Sequence, residues 1–153
     1  MQQINHKYND YLITSDKAKA DIVAIHKWLS KESYWKKDIA FDVIKGAVEN
    51  SFCINILFNE EQVGFGRLIT DYTTFAYLAD VYIVEEHRKK GLSKVMIELM
   101  LGLDWVKALR KIMLATLDAQ ALYAQYGFIP INNPERFMEF SPVTTFDNDQ
   151  NNM

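Results

Sequence analysis

The sequence has few of the features that mark exported, membrane-embedded or thiolate-metal proteins. Cys53 is its only cysteine, so no disulfide forms within the chain and a zinc site built from several thiolates is excluded. No stretch approaches the roughly 20 apolar residues of a membrane-spanning helix. Met1 to Asp10 is polar rather than a basic segment followed by an apolar run. We therefore expect an unexported cytoplasmic protein with no membrane partner.

Positive charge is not in excess either. The chain carries 17 Lys and Arg against 20 Asp and Glu, a formal net charge of -3. This balance gives no overall attraction to nucleic acid, which is not expected as a partner. His6 and His26 have no neighbours at metal-ligand spacing, and no metal is expected.

What the sequence does contain is enough apolar material for one ordinary domain. Of its 153 residues, 49% are hydrophobic, which is sufficient for a substantial buried core. We predict a single domain over residues 1–142. Residues 143–153 are rich in Asn and Asp and are predicted to form a flexible tail.

Hydrophobic periodicity predicts two helices and four strands in the first half of the chain. The helices span Ala18–Ser30, opened by Asp16 or Asp21, and Ile39–Glu49, with Phe41, Ile44 and Val48 on the buried side. The strands span Tyr11–Thr14, Phe52–Phe58, Gln62–Thr70 and Phe75–Val84. Because short turns join the last three strands, we predict an antiparallel meander.

Helices and strands alternate in the second half. A long apolar helical pattern begins after Gly91 and ends near Leu103. It is followed by a predicted strand at Ile112–Thr116, a short helix at Ala119–Gln125 capped by Asp118, and final strands at Phe128–Ile131 and Phe137–Phe140. The expected fold class is α/β of the α+β kind, with a mixed, largely antiparallel sheet flanked by helices.

The segment from Asp80 to Leu101 is a strand, a basic turn and a helix. A turn that enters a helix presents unpaired N–H groups and the positive end of the helix dipole, and Arg88, Lys89, Lys90 and Lys94 add cationic side chains. These features suit a diphosphate. Taken alone, however, a basic helix start with one glycine favours a solvated basic turn. The segment lacks the GxxxxGK[ST] spacing of a P-loop.

Two motifs decide between these interpretations by resemblance. Arg88-Lys89-Lys90-Gly91-Leu92-Ser93 resembles the acetyl-CoA signature Q/R-x-x-G-x-G/A of the GNAT superfamily of N-acetyltransferases, and Leu122 to Phe128 resembles its second signature, LYxxxGF. Ser93 departs from the usual Gly or Ala, and Lys89 stands where many members have a further Gly. Ser33-Tyr34-Trp35, Thr70 to Val81 and Pro134 to Met138 resemble a poorly characterised bacterial branch of the superfamily.

The resemblance implies a GNAT fold and a site for acetyl-CoA without a metal. In the family, amides of the turn hold the pyrophosphate and the preceding strand pairs with the pantetheine arm. Carried over, the cofactor-binding residues are Val81, Tyr82, Ile83, Arg88, Lys89, Lys90, Gly91, Leu92, Ser93, Lys94 and Thr116.

The resemblance also implies catalytic and acceptor residues. Tyr123 corresponds to the tyrosine that protonates the departing coenzyme A thiolate, a role that suits a phenol with an ordinary pKa of about 10. Asp80 is the leading candidate for the base that takes the amine proton, with a structural hydrogen-bonding role as the alternative. The acceptor pocket is expected among the aromatic residues Tyr34, Trp35, Tyr72 and Phe75, each of which also suits a core position.

The expected function is direct transfer of the acetyl group of acetyl-CoA to a small-molecule or peptide amine, in a ternary complex. Two alternatives stay open at this point: a non-catalytic acyl-CoA-binding regulatory module, and an N-acyltransferase that uses a longer acyl-CoA. Dimers are common in the family, so a homodimer is one expected assembly.

Overall fold

A computed structural model describes residues 1–32 and 38–142 of the chain. They form a six-stranded sheet in which the strand order follows the chain order. Neighbouring strands are antiparallel except for the last pair, β5 and β6, which is parallel. The strands are β1 (Asn5–Tyr8), β2 (Tyr11–Thr14), β3 (Phe52–Phe58), β4 (Glu61–Thr70), β5 (Phe75–Ile83) and β6 (Lys111–Leu114). The predicted mixed, largely antiparallel sheet is confirmed.

Helices connect the strands. They are α1 (Ile22–Lys27), α2 (Phe41–Glu49), α3 (Leu92–Leu101), α4 (Asp104–Lys107) and α5 (Gln120–Ala124), with a π-helical turn at Trp28–Glu32 and 3-10 turns at Lys17–Lys19, Glu85–His87 and Pro134–Arg136. Asp21 caps α1 by accepting a hydrogen bond from the Ala24 amide, and Asp16 caps the 3-10 turn that precedes it. Both predicted opening residues are therefore caps, but of separate elements.

Hydrophobic clusters lie on both faces of the sheet, because successive strand residues point to opposite sides. Ile54 and Ile56 of β3 belong to the larger cluster, together with α3 and α4, whereas Cys53 belongs to the cluster beneath α1 and α2. Burial of one large apolar side chain stabilises the fold by about 1.5–3 kcal/mol, so these clusters fix the helices against the sheet.

The predicted buried side of α2 is only partly correct. Ile44 and Val48 are buried as expected. Phe41 is exposed, and its ring packs edge-on against His26 at 5.4 Å. Phe41 therefore lies outside both hydrophobic clusters, at the N-terminal end of α2.

A β-bulge interrupts β5 at Asp80. Phe65 of β4 pairs with Tyr82, but Arg67, two residues further on, pairs with Ala79, so β5 contains one extra residue here. Asp80 has the left-handed φ of 58°, a conformation that Asp tolerates better than most residues. The bulge bends β5 immediately after the point where β6 leaves it.

Strands β5 and β6 pair only over four residues each, from Phe75 opposite Lys111 to Leu78 opposite Leu114. Beyond that point β5 continues to Ile83 against β4, while the chain after β6 turns away into α5. The edge of β5 beyond Leu78 is thus not covered by β6. This splay opens toward the turn that precedes α3.

The two final strands predicted at Phe128–Ile131 and Phe137–Phe140 are wrong, since β6 is the last strand among the described residues. Pro130 and Pro134 lack the N–H that a sheet ladder requires, and Asn133 adopts a left-handed φ of 57° before the Pro134–Arg136 turn. As a result this segment exposes five large apolar side chains, namely Ile129, Ile131, Phe137, Met138 and Phe140.

Two further predictions concern the ends of the chain. Strand β1 was not predicted, because its sequence Asn-His-Lys-Tyr has no apolar alternation; it pairs through its backbone with β2. The predicted tail at residues 143–153 lies outside the described residues. Within the described part of the chain, no helix is long and apolar enough to cross a membrane.

Candidate active site

The turn between β5 and α3 forms the centre of the candidate site. Helix α3 begins at Leu92, and its N-cap is Gly91, which accepts the Val95 amide at 3.0 Å. Among residues 1–32 and 38–142, no side chain caps this end of the helix. The first amides of α3 therefore lack the side-chain partner that usually satisfies a helix start, and they are available to an anion.

The backbone of this turn twice adopts the left-handed conformation. Gly91 has a φ of 80°, and a Cβ at this residue would lie 3.2 Å from the Tyr8 hydroxyl, so glycine suits the position on both grounds. Lys89 has a φ of 63°, which costs a residue with a Cβ roughly 1 kcal/mol. Of the two residues that depart from the family pattern, Lys89 is thus the one at which glycine is conformationally favoured.

A cavity of about 190 Å³ lies at this turn. Its walls come from the end of β5, the turn, the first turn of α3 and the middle of α5. The lining residues are Ile83, His87, Arg88, Lys89, Gly91, Leu92, Ser93, Lys94 and Leu122. Most of the predicted cofactor-binding residues are therefore brought together. His87 and Leu122 were not predicted to belong to this set.

The remaining predicted cofactor residues lie outside the cavity wall. The Lys90 carbonyl accepts a hydrogen bond from the Tyr8 hydroxyl at 3.0 Å. Tyr82 stacks on Trp28 with ring centroids 5.4 Å apart, and Val81 packs against the larger hydrophobic cluster. The Thr116 hydroxyl accepts the Ala119 amide at 3.0 Å. The N-cap of α5 is Ala119, and no side chain of the described residues caps this helix, so the prediction of Asp118 as the cap is wrong.

Arg88 ties the turn to the end of β5. Its Nε donates to the Ile83 carbonyl at 2.7 Å, and its guanidinium lies 5.2 Å from the centre of the Tyr82 ring. Such a cation–π contact is worth about 0.5–1 kcal/mol at an exposed site. Arg88 therefore fixes the turn against the end of β5, and it also adds positive charge to the site.

Tyr123 lies on α5 and is 7% exposed, with its ring edge-on against Phe128 at 5.7 Å. Burial raises the pKa of its phenol, which keeps the hydroxyl protonated over a wider pH range. Its neighbour Tyr126 differs, because that hydroxyl donates to Glu98 at 3.0 Å. Gly127 lies two residues after Gln125, the C-cap of α5, and has a φ of 92°, the positive φ that the sequence predicts.

Asp80, the predicted base, lies in a buried ion pair. Its Oδ2 accepts a hydrogen bond from Arg67 Nε at 2.6 Å, and Asp80 is 6% exposed. Arg67 also donates to the Ser51 hydroxyl at 2.9 Å. The carboxylate supplies the counter-charge of a guanidinium that the fold buries. The structure thus gives Asp80 a structural partner, and its role as a base stays a prediction.

The predicted acceptor residues are not brought together with the cavity. Tyr34 and Trp35 lie outside the described residues. Phe75 is the first residue of β5 and lies about eight residues, or roughly 26 Å at the usual strand rise, from Ile83 at its other end. Tyr72 lies in the turn that precedes β5. Tyr72 packs against Trp105 at 5.0 Å, and Phe75 pairs with Lys111 before the splay begins. Their acceptor role stays a prediction.

Metal-ligating side chains do not cluster within residues 1–32 and 38–142. No group of three or more His, Cys, Asp or Glu residues with suitable geometry occurs there. The cations and amides of the turn are thus the features of this site that suit an anionic ligand.

A family model and a curated relative both identify acetyltransferases as the proteins that this chain resembles. The model of the acetyltransferase (GNAT) family matches residues 16–128. A candidate acetyltransferase from Gibberella zeae is 31% identical over 141 residues, covering 79% of this chain and 80% of that protein.

Solved structures of acetyltransferases also resemble this chain. A candidate GNAT-family acetyltransferase from Xanthomonas campestris pv. campestris superposes with a TM-score of 0.85 at 36% identity, over 94% of this chain and 99% of the other. A GNAT-family acetyltransferase from Streptococcus pneumoniae, at 18% identity, has a TM-score of 0.62 over 80% of this chain and 86% of its own, and this likeness concerns the fold alone.

Proposed function

Since this chain belongs to the GNAT acetyltransferase family and is an acyltransferase, we propose that it moves the acetyl group of acetyl-CoA directly to an amine. The observation that carries the proposal is the cavity at the start of α3, which adjoins the end of β5 whose edge β6 leaves uncovered. A diphosphate and a peptide-like pantetheine arm require these two surfaces side by side.

The residues present fit such a ligand. Amides of the turn, with the cations of Lys89 and Lys94 at the cavity wall, hold the diphosphate, and the edge of β5 up to Ile83 offers main-chain groups to the pantetheine. Bound acetyl-CoA supplies an acyl group that is activated as a thioester. The protein contributes proximity by holding this group beside the amine in a ternary complex.

Proton transfer completes the proposal. An ammonium nitrogen has no lone pair, so the acceptor must lose a proton, to ordered water or to a side chain. Tyr123 gives its phenolic proton to the departing thiolate. Because burial raises the pKa of this phenol, its hydroxyl is protonated before the transfer. The acceptor is a small-molecule or peptide amine, and the single buried cysteine, Cys53, suits a cytoplasmic location.

The experiment that tests this proposal has two stages. Thermal unfolding is measured with acetyl-CoA, longer acyl-CoAs and ATP, because a ligand that binds only the folded state raises the unfolding midpoint. A panel of amines, including lysine peptides, peptide N-termini and polyamines, is then screened for release of free coenzyme A. Stabilisation by acetyl-CoA and release with one class of amine are expected.

Other results would point elsewhere. A larger shift with a longer acyl-CoA would favour a different acyl donor, and binding without coenzyme A release from any amine would favour a regulatory module. If no coenzyme A derivative shifts the midpoint, the proposal fails.

We also propose that the chain forms a homodimer through its C-terminal segment. The outer edge of β6 has no strand partner among the described residues, and a cavity of about 380 Å³ beside it is lined in part by Arg110, Lys111 and Phe137. Met138 and Phe140 are 96% and 88% exposed. Glu135 and Glu139 flank these apolar residues, with charge opposite to that of Arg110 and Lys111. A second copy therefore offers both apolar contact and charge complementarity.

Sedimentation velocity tests this assembly. The wild-type chain is expected to sediment as a dimer, and Met138→Lys combined with Phe140→Lys is expected to give a folded monomer. A monomeric wild-type chain at tens of micromolar would overturn the proposal.

A further inference from the structure

The N-terminal hairpin of β1 and β2 touches the turn before α3 at two points, although it precedes the residues 16–128 that the family model matches. The Tyr8 hydroxyl donates to the Lys90 carbonyl at 3.0 Å. The Tyr11 hydroxyl lies 2.7 Å from Nδ1 of His87. Two tyrosines three residues apart thus contact both halves of the turn.

His87 is a wall residue of the cavity, and its ring is fixed by aromatic neighbours. The imidazole lies edge-on to Tyr11, with centroids 5.6 Å apart, and tilted against Phe58 at 5.0 Å. Nδ1 is occupied by the Tyr11 hydroxyl, whereas Nε2 has no hydrogen-bond partner within residues 1–32 and 38–142. Nε2 is therefore the ring nitrogen that is left for a ligand.

The direction of the hydrogen bond between Tyr11 and Nδ1 determines whether Nε2 is a hydrogen-bond donor or an acceptor. A neutral imidazole has one donor nitrogen and one acceptor nitrogen, and a phenol is a good donor. When the Tyr11 O–H donates to Nδ1, the ring proton must be on Nε2. Nε2–H is then an oriented donor, which matches the acceptor-only oxygens of a phosphate.

We propose that His87 is a further ligand of the coenzyme A phosphates, donating Nε2–H to a phosphate oxygen, and that Tyr11 positions it by fixing this tautomer. The inference rests on the proposed function. Lys89 and Lys94 supply charge on long side chains, whereas His87 offers a donor of fixed direction, because its ring packs against both Tyr11 and Phe58. The N-terminal hairpin is in this sense part of the cofactor site.

Isothermal titration of acetyl-CoA into four proteins tests the inference: wild type, Tyr11→Phe, His87→Phe and the double variant. Hydrogen bonds to charged groups contribute about 1.5–3 kcal/mol, so His87→Phe is expected to raise Kd by at least about tenfold while its ring still packs on Phe58. Tyr11→Phe is expected to raise Kd by a smaller factor. The double variant should match His87→Phe alone, because both changes remove one interaction.

A matched control is Tyr8→Phe, which acts through Lys90 rather than His87. Because the two residues act independently, the fold-increases in Kd caused by Tyr8→Phe and by His87→Phe should multiply when both substitutions are combined. The tautomer is measured independently by ¹⁵N NMR of the His87 ring, one of only three histidines in the chain. The wild type should show a protonated Nε2, and Tyr11→Phe should lower that population, which a purely structural role of Tyr11 would not do.

The outcomes separate the two proposals. If the wild type does not bind acetyl-CoA, the proposed function fails. If it binds, but His87→Phe binds within twofold of it, or if the effects of Tyr11→Phe and His87→Phe multiply, the inference about His87 is overturned and the proposed function stands. If His87→Phe does not fold, Tyr11→Phe with its tautomer measurement carries the test.

Discussion

Arg67 and Asp80 form a buried ion pair at the bulge of β5, with 2.6 Å between Nε and Oδ2. The pair joins β4 to the extra residue of β5, and the hydroxyl of Ser51, the residue before β3, accepts a further hydrogen bond from Arg67. Three strands are thus linked at the point where β5 and β6 diverge. The geometry of the splay depends on these polar contacts as well as on the apolar core.

The first prediction concerns this ion pair. Asp80→Asn is expected to lower the free energy of unfolding by about 3–5 kcal/mol, because it leaves the Arg67 guanidinium buried without its counter-charge. Urea denaturation measures the loss. Replacing both partners, as Arg67→Met with Asp80→Leu, should recover much of the stability. An Asp80→Asn protein that is as stable as wild type but has lost turnover would instead identify Asp80 as the base.

The second prediction concerns Tyr123. Tyr123→Phe is expected to leave Kd for acetyl-CoA nearly unchanged and to lower kcat by about 10²–10⁴-fold, the usual contribution of a positioned acid. Because burial raises the pKa of Tyr123, ionisation of this phenol reduces activity only above its ordinary pKa of about 10.

Tyr126→Phe is the matched control for Tyr123→Phe. It removes a phenol three residues away that is already engaged with Glu98, so turnover should be retained. Equal rates for Tyr123→Phe and wild type would exclude Tyr123 as the acid.

The third prediction concerns the backbone of the turn. Lys89→Gly is expected to raise the free energy of unfolding by about 0.5–1 kcal/mol, because glycine removes the cost of a Cβ at a φ of 63°. Lys90→Gly removes the same charge at a residue without a positive φ, and it should lower stability instead. Chemical denaturation of both variants checks the sign. Equal destabilisation by both would contradict a conformational cost at Lys89.

The fourth prediction concerns Cys53, whose thiol donates to the Val48 carbonyl between β3 and α2. Burial raises the pKa of this thiol from 9.0 to about 11. The folded state therefore favours the neutral thiol, and its contribution to stability is full below pH 9 and is lost as the pH rises through 11.

The measurement for Cys53 is urea denaturation from pH 8 to 11. Wild type should lose about 2–3 kcal/mol more than Cys53→Ala over this range, and the native thiol should resist modification by a thiol reagent at pH 8. Parallel pH profiles of the two proteins would contradict the assignment.

Apolar pattern predicted the interior of the sheet well. The bounds predicted for β2 and β3 match the structure, because their apolar residues are buried and clear turns bound them. β1 could not be predicted, since its pairing depends on backbone groups of β2. The C-terminal segment has the apolar content of strands, but Pro130 and Pro134 keep it out of the sheet.

The site was predictable where it is local in sequence. The turn from Arg88 to Lys94 was found by its resemblance to a known signature, and most of it lines the cavity. His87 was missed because its assignment depends on Tyr11, 76 residues earlier in the chain. The sequence indicates the bulge only weakly, through the presence at position 80 of an Asp, a residue that tolerates a left-handed φ.

The hydrogen bond from Tyr8 to Lys90 joins residues 82 apart in the chain. β1 is an edge strand, and strands of this kind open locally more readily than the centre of a sheet. Each opening of β1 breaks the hydrogen bond from Tyr8 to the turn. If the turn binds its ligand more weakly in the open state, the bound ligand must make such openings rarer. Amide hydrogen exchange along β1, a strand with no residue in the cavity wall, would thereby report how often the site is occupied.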